Sequence, residues 1–328
     1  MTGKYATELL GADVAGVARA VELLRGGGLV ALPTETVYGL AARADSDEAV
    51  ARIYEAKGRP SYNPLIVHIA DWDQLALFTD PTAPVASWGD PNPAPTLRNF
   101  AQTHWPGAVS LVVPLRSGAP VSPLVSAGLP TIALRMPRHR VARQVIAAAG
   151  ALAMPSANRS GYISPTSAEH VLAGLDGRID LVLDAGPAES GIESTILKLR
   201  EDGRWEELRA GPERTESWHP SFFEREQNGA GRIEAPGQLT SHYAPGKPLR
   251  LGAEHAEDGE FMIGYNSVAG DCTLSAAGDL AEAAQRLYAC LHEAARAPQP
   301  RIAVAAIPEE GIGIAINDRL RRAAAPAA

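Results

Sequence analysis

Leu29-Val30-Ala31-Leu32 is a short apolar run enclosed between three glycines and Pro33, and such a run suits a buried strand better than a helix. Polar residues arrive where the strand ends: Thr34, Glu35, Thr36 and Tyr38. From Ser46 the apolar positions Ala49, Val50 and Ile53 follow a helical period, with Ser46 or Asp45 as N-cap and Gly58 followed by Pro60 as the stop. Lys57 and Arg59 therefore fall at the helix exit. Pro64 to Ile69 reads as a second buried strand, in which His68 is the ionisable residue. A helix C-terminus weakly favours cations, so dipole complementation alone could account for Lys57 and Arg59. Asn63 and His68 follow so closely that a binding site is the better reading. Residues 26–69 thus predict two buried strands and one helix, with reactive side chains in the turns between them.

The rest of the chain extends this pattern. Val14, Val17, Val21 and Leu24 predict a helix from Asp13, its N-cap, to Arg25. Trp72 to Phe78 reads as helical, and Asp80 to Thr96, with five prolines, as a loop. Strands are expected at 109–115 and 131–136, the second with Thr131, Ala133 and Arg135 on one face, so that Thr131 and Arg135 could reach one ligand. A short strand at 151–154 ends in Pro155-Ser156-Ala157-Asn158, readable as an ordinary turn or as part of a site. Thr166 and Glu169 form a capping-box pattern for a helix to Leu172. Strands at 179–183 and 196–199 follow, and 205–209 pairs with the latter as a hairpin. The boundaries expected are a first domain at 1–220, a linker or lid at 221–248, and a second domain at 249–328. The linker lacks hydrophobic period, yet carries His242-Tyr243-Ala244-Pro245, an odd cargo for a solvated spacer. In the tail, strands and helices alternate as in a smaller doubly wound, Rossmann-like α/β unit. Its Gly311-Ile-Gly313 lacks the third glycine of a dinucleotide fingerprint.

At 328 residues and 45% hydrophobic content the chain can bury two cores. No apolar run nears the roughly 20 residues of a membrane span, and no signal peptide is legible, so a cytoplasmic protein without membrane contact is expected. Two cysteines, Cys272 and Cys290, are too few for a disulfide framework, and the histidines show no metal-ligand spacing. A net charge of −8 argues against gripping nucleic acid over the whole surface. Residues 91–168, however, hold no Asp or Glu but include Arg98, Arg116, Arg135, Arg138, Arg140, Arg143 and Arg159. That predicts a local positive field suited to a compact polyanion, with a basic surface helix at 138–143 explaining part of it.

PTETVYGL (33–40), KGRPSYNPLIVHI (57–69), TIALRMP (131–137), PSAN (155–158), GIESTI (191–196) and HYAP (242–245), in this order, resemble the threonylcarbamoyl-AMP synthase family, the YrdC-like enzymes, in its long form. GIGIAINDR (311–319) carries a looser likeness through the tail. The resemblance implies a twisted mixed-sheet α/β domain with a positively charged cleft. It also implies a nucleotidyl transfer joining L-threonine, bicarbonate and ATP into threonylcarbamoyl-AMP and pyrophosphate, for N6-threonylcarbamoyladenosine in tRNA. By motif match Thr36, His68, Arg135 and Ser194 would surround L-threonine, with Thr34 near bicarbonate or phosphate. Arg59, Asn63, Thr131, Ser156, Asn158, Ser164, Arg209 and Tyr243 would surround ATP. Lys57 and Arg59 would act catalytically on the triphosphate, Mg²⁺ would arrive with ATP, and the linker would fold over the cleft. A tRNA-modifying transferase downstream and a weak RNA contact would be the macromolecular partners. The competing readings are a carbamoyl-adenylate former using carbamoyl phosphate and a non-catalytic module binding double-stranded RNA or tRNA.

Overall fold

A computed structural model describes residues 6–85, 96–213, 223–225, 233–238 and 241–326. Strands β1 (Glu8–Gly11), β2 (Val30–Leu32), β3 (Gly39–Arg43), β4 (Ile66–His68), β5 (Val109–Pro114), β6 (Thr131–Arg135), β7 (Leu152–Ala153), β8 (Leu181–Asp184), β9 (Thr195–Leu199), β10 (Trp205–Arg209) and β11 (Phe223–Arg225) form a mixed sheet. Their order is β1-β8-β2-β3-β7-β4-β6-β5-β9-β10-β11. Helices α1 (Val14–Arg25), α2 (Asp47–Lys57), α3 (Trp72–Phe78), α4 (Leu97–His104), α5 (Pro123–Ser126), α6 (Arg140–Ala149) and α7 (Ala168–Leu175) pack around it. A second sheet, wholly parallel, holds β12 (Leu249–Leu251), β13 (Glu260–Gly264), β14 (Cys272–Thr273) and β15 (Arg301–Val304) in the order β12-β15-β13-β14. Helices α8 (Leu280–Arg296) and α9 (Ile312–Ala324) pack on it and on each other. No helix among the described residues is long and apolar enough to cross a membrane.

Several local expectations hold for the anticipated reasons. Asp13 caps α1 by accepting from Gly16 N, Ser46 caps α2 by accepting from Ala49 N, and Gly58 ends α2. Four details differ. Residues 26–69 contain three strands, because Thr34 Oγ1 donates to Val37 O and accepts from Val37 N, turning the chain so that β3 runs back along β2. Directly after the proline-rich segment, where no element was expected, comes a helix, α4, which Thr96 caps together with Asn99; residues 86–95 lie outside the described ones. The helix expected from Thr166 is capped instead by Ser167, which accepts from His170 N, and runs to Leu175. The two cysteines, too few for a framework, nonetheless form a disulfide: α8 lies on β14, bringing the Cα atoms of Cys272 and Cys290 to 5.9 Å.

Period-two alternation in the middle of the large sheet separates core from cleft. Val67, Leu111, Leu134 and Leu197 enter the main core. Their neighbours Ile66, Val112, Ala133 and Ile196 face the other way, forming a small apolar floor with Leu208 and Ala235. On that second face the polar side chains of His68 and Arg135 emerge. The second domain's core is continuous with Val37, Ile163, Ile192 and Tyr243, so it docks on the cleft side of the first.

Candidate active site

β4 and β6 run parallel with His68 and Arg135 as register partners, so both side chains leave the same face at the same level. Arg135 is buried and well held: Nε donates to Gly107 O at 3.1 Å, Nη1 to Thr36 Oγ1 at 2.9 Å and Nη2 to Glu35 Oε1 at 2.6 Å. These bonds use three of the five guanidinium N–H donors, leaving two for a ligand. Burial pushes the Glu35 carboxyl up, but the Arg135 guanidinium more than offsets it, and the group comes to about 2. His68 is driven down to about 3 by burial and then by Arg135, so its imidazole is neutral at ordinary pH. Its Nδ1 is buried without a protein partner among the described residues.

Across the floor, Arg59 binds its own turn. Its Nε donates to Asn63 O at 3.1 Å and Nη2 to Asn63 Oδ1 at 2.6 Å and Pro64 O at 2.8 Å. Burial lowers Arg59 to about 10, which leaves it charged. Lys57 Nζ donates to Ser156 O and Asn158 O, both at 2.5 Å, and so ties the end of α2 to the Pro155–Asn158 turn from behind. Burial, then Arg59, carries its pKa well below the usual lysine range. From β10, Arg209 donates to Ser194 O at 3.0 Å, Ser194 Oγ at 3.2 Å and Pro236 O at 3.3 Å. The strap 233–238 and 241–245 closes this side. Gly237, at φ 90°, has no room for a side chain: a Cβ there would fall 2.9 Å from Arg209 Cδ. Tyr243 takes φ 63°, a strained value for an aromatic residue, and its buried hydroxyl has no partner among the described residues. Backbone contacts hold the strap on either side of Tyr243, His242 N donating to Arg322 O and Ala244 N to Gly161 O.

The result is a cleft of about 540 Å³, counted to its open mouth, in which Thr34, Thr36, Arg59, His68, Arg135, Ser156, Ser194, Arg209 and Tyr243 meet. Lys57, Asn63 and Ser164 stand behind the wall, bonded to Ser156, Arg59 and Glu193 in it, and Asn158 stands one step further back, bonded to Lys57. Thr131 is not brought in. It shares a face with Arg135 but lies four residues away, about 13 Å along an extended strand. The acid-free segment does not supply the field: of its arginines, Arg135 alone is in the wall. Arg138 pairs with Glu189, Arg116 and Arg143 bind backbone carbonyls, and Arg98 and Arg159 lie over Trp72 and Tyr162. Strand and helix periodicity sends neighbouring arginines to different faces, and the cleft's cations come from Arg59 in the turn after α2, Arg135 on β6 and Arg209 on β10.

Sequence reasoning singled out Glu35 and His242 without giving either a role, and passed over Glu193 and the strap backbone at 236–237; Glu193, His242 and 236–237 are in the wall, and Glu35 is behind it. A lone carboxylate inside each of two otherwise uncharged motifs, Glu35 in PTETVYGL and Glu193 in GIESTI, was the available signal. Among the described residues no group of three or more His, Cys, Asp or Glu is placed to hold a metal.

The Sua5/YciO/YrdC family model, described as telomere recombination, matches residues 22–211. The model described as threonylcarbamoyl-AMP synthase, C-terminal domain, matches residues 204–325. A Bacillus subtilis (strain 168) protein named threonylcarbamoyl-AMP synthase is 40% identical, over 94% of this chain and 92% of its own. One of the same name from Pyrococcus abyssi (strain GE5 / Orsay) is 35% identical, over 93% and 92%. The crystal structure of P. abyssi Sua5 complexed with L-threonine superposes with a TM-score of 0.83 at 31% identity, covering 98% of both chains.

Proposed function

The chain belongs to the threonylcarbamoyl-AMP synthase family, and from that premise we propose that it is an adenylate-forming enzyme joining L-threonine, bicarbonate and ATP into threonylcarbamoyl-AMP and pyrophosphate. The observation that carries the reading is the convergence of motifs from distant parts of the chain on one cleft with three buried arginines in its wall.

In the first step the threonine amine forms its N–C bond to the carbon of bicarbonate, with loss of water. Arg135 would hold the threonine carboxylate with its remaining N–H donors, while Thr36 and Ser194 meet the other polar groups. His68, neutral and with a free Nδ1, is suited to accept from the ammonium or hydroxyl of threonine. In the second step a carbamate oxygen bonds to the α-phosphorus of ATP as the bond to the bridging oxygen of pyrophosphate breaks. Both reactants are anions, so the main task is to hold them together in a dry, cationic place. Arg59 and Arg209 lie where the phosphates would be met, with Ser156 and Tyr243 beside them. Lys57, tied to Ser156 O and Asn158 O, acts on the nucleotide through the turn it holds. Asn63 and Ser164 support Arg59 and Glu193, and Asn158 braces the same turn through Arg159 O and Tyr162 O.

A magnesium ion suits this cleft as a passenger on the phosphates. The cleft offers it hydroxyl oxygens from Thr34, Thr36 and Ser156, and its carboxylate, Glu193, is spent on protein donors. When bound it would offset charge on the phosphates. The mixed anhydride product would pass, in the cytoplasm, to a tRNA-modifying transferase.

The test is pyrophosphate release by the full-length protein, with L-threonine and bicarbonate each present or omitted and with Arg59→Ala as control. Release that needs both co-substrates and is lost in the control supports the synthase. Turnover that ignores threonine but responds to carbamoyl phosphate would replace it with the carbamoyl-adenylate reaction.

A further inference from the structure

Glu193 puts a negative charge into a wall whose other charged side chains are the cations Arg59, Arg135 and Arg209. Its oxygens are held mostly from the second domain. Tyr288 Oη, on α8, donates to Oε1 at 3.0 Å and Oε2 at 2.9 Å, and Arg319 Nε, on α9, donates to Oε2 at 3.2 Å. Ser164 Oγ, from the first domain, donates to Oε1 at 2.5 Å. Arg319 is fully buried, and also binds Ala210 O at 2.5 Å and Asp318 at 3.3 Å. The same two side chains support the strap tyrosine: the Arg319 guanidinium lies 5.8 Å from the Tyr243 ring centre, and the Tyr288 ring 5.6 Å from it. The loop bearing Glu193 is seated directly on α8. A Cβ at Gly191, whose φ is 73°, would lie 2.3 Å from Gln285 Cα.

We propose that Arg319 and Tyr288 are positioning residues through which the second domain sets the charge and shape of the nucleotide half of the cleft. The proposal rests on the reading of Arg59, Arg209 and Tyr243 as that half. A bare buried carboxylate there would repel the triphosphate and attract Arg209 away from it. With Arg319 behind it and the two hydroxyls on its lone pairs, Glu193 is neutralised and turned toward the domain junction, leaving Arg59 and Arg209 for phosphate. The second domain therefore contributes to ATP binding without touching ATP.

Pyrophosphate release and equilibrium ATP binding would be measured for full-length wild type, Arg319→Met, Tyr288→Phe and the double variant Arg319→Met with Glu193→Gln. Losing the arginine should raise KM and Kd for ATP about ten- to a hundred-fold, with KM for L-threonine changed less than about two-fold. Tyr288→Phe, the milder change, should raise them about three-fold, and it carries the test if Arg319→Met fails to fold. Removing both charges together should recover most of the loss, because the repulsion disappears with the carboxylate. A merely structural role would move both substrates together and would not be rescued by Glu193→Gln. Equal rises for ATP and threonine, or a double variant no better than the single one, overturn the proposal. If the wild type releases no threonine-dependent pyrophosphate, the synthase reading fails by itself; the binding comparison then still decides, and equal ATP affinity of wild type and variants overturns the inference.

Discussion

Two buried carboxylate–arginine pairs stand at the cleft, and they face it with opposite signs. In Glu35–Arg135, both partners come from the first domain, the arginine is in the wall, and the carboxylate is behind it. In Glu193–Arg319, the carboxylate is in the wall and the arginine stands behind it, across the domain boundary. Both carboxyls are pushed up by burial and brought back down to about 2 by their arginines. The chemistry is the same, but the first pair presents a cation built into one sheet, and the second masks an anion with help from another domain. A positive cleft thus depends on where each charge stands as well as on how many arginines are present.

The largest expected break in this comparison is Arg135→Ala. It removes the cation that faces the ligand and strands Glu35, a loss of about 3–5 kcal/mol in stability for an unpaired buried charge. Catalytic efficiency toward L-threonine should fall at least about 100-fold, with ATP affinity changed much less. Unchanged threonine dependence in this variant would remove the distinction between the two halves.

The next effect is on acid stability. The carboxyls of Glu35 and Glu193 have folded-state values near 2 against an ordinary 4.5, so the stability each contributes is complete above about 4.5 and is lost as pH falls toward 2. His68 and His242, one on each side of the cleft, are driven by burial to about 3 from an ordinary 6.5. The unfolded chain therefore takes up their protons first, and stability should already decline below about pH 6.5. Each group contributes a slope of about 1.4 kcal/mol per pH unit within its window. Denaturant midpoints measured from pH 7 to pH 3 should fall from about pH 6.5, where the two histidines together give about 2.8 kcal/mol per unit, and about twice as steeply below 4.5, where the two carboxyls join them. In Arg319→Met the steep part should be shallower, because Glu193 would lose the arginine that depresses it.

The sequence displayed the first pair's half of the cleft more openly than the second's. β2, α2 and β4 were readable because an apolar run, an N-cap and a glycine stop each act within a few residues, and Thr34, Thr36, Arg59 and His68 follow directly from them. β3 was not, since Gly39-Leu-Ala-Ala-Arg43 has no β-branched residue and is a strand only because the Thr34 turn lays it against β2. Lys57 was identifiable as a site residue but not as one bonded behind Ser156, because a lysine at a helix exit has the same local signature in either place. Arg319 and Glu193 are 126 residues apart, and nothing local in either motif announces the other. The odd composition around His242 and Tyr243 was legible; the strain at Tyr243 that fits it to the cleft was not.

Tyr243→Phe gives the smallest and finest test of the second half. The hydroxyl it removes is buried at 1% exposure without a protein partner among the described residues, so its loss should leave the melting temperature unchanged or slightly raised. If that hydroxyl serves the nucleotide, KM for ATP should nevertheless rise about three-fold while KM for L-threonine stays constant. The two readouts separate a structural tyrosine from a binding one, because packing of the ring against Arg319 and Tyr288 is retained in phenylalanine. An ATP KM equal to that of wild type would assign the strap's contribution to the ring alone, and the masking of Glu193 would then be the means by which the second domain reaches the nucleotide.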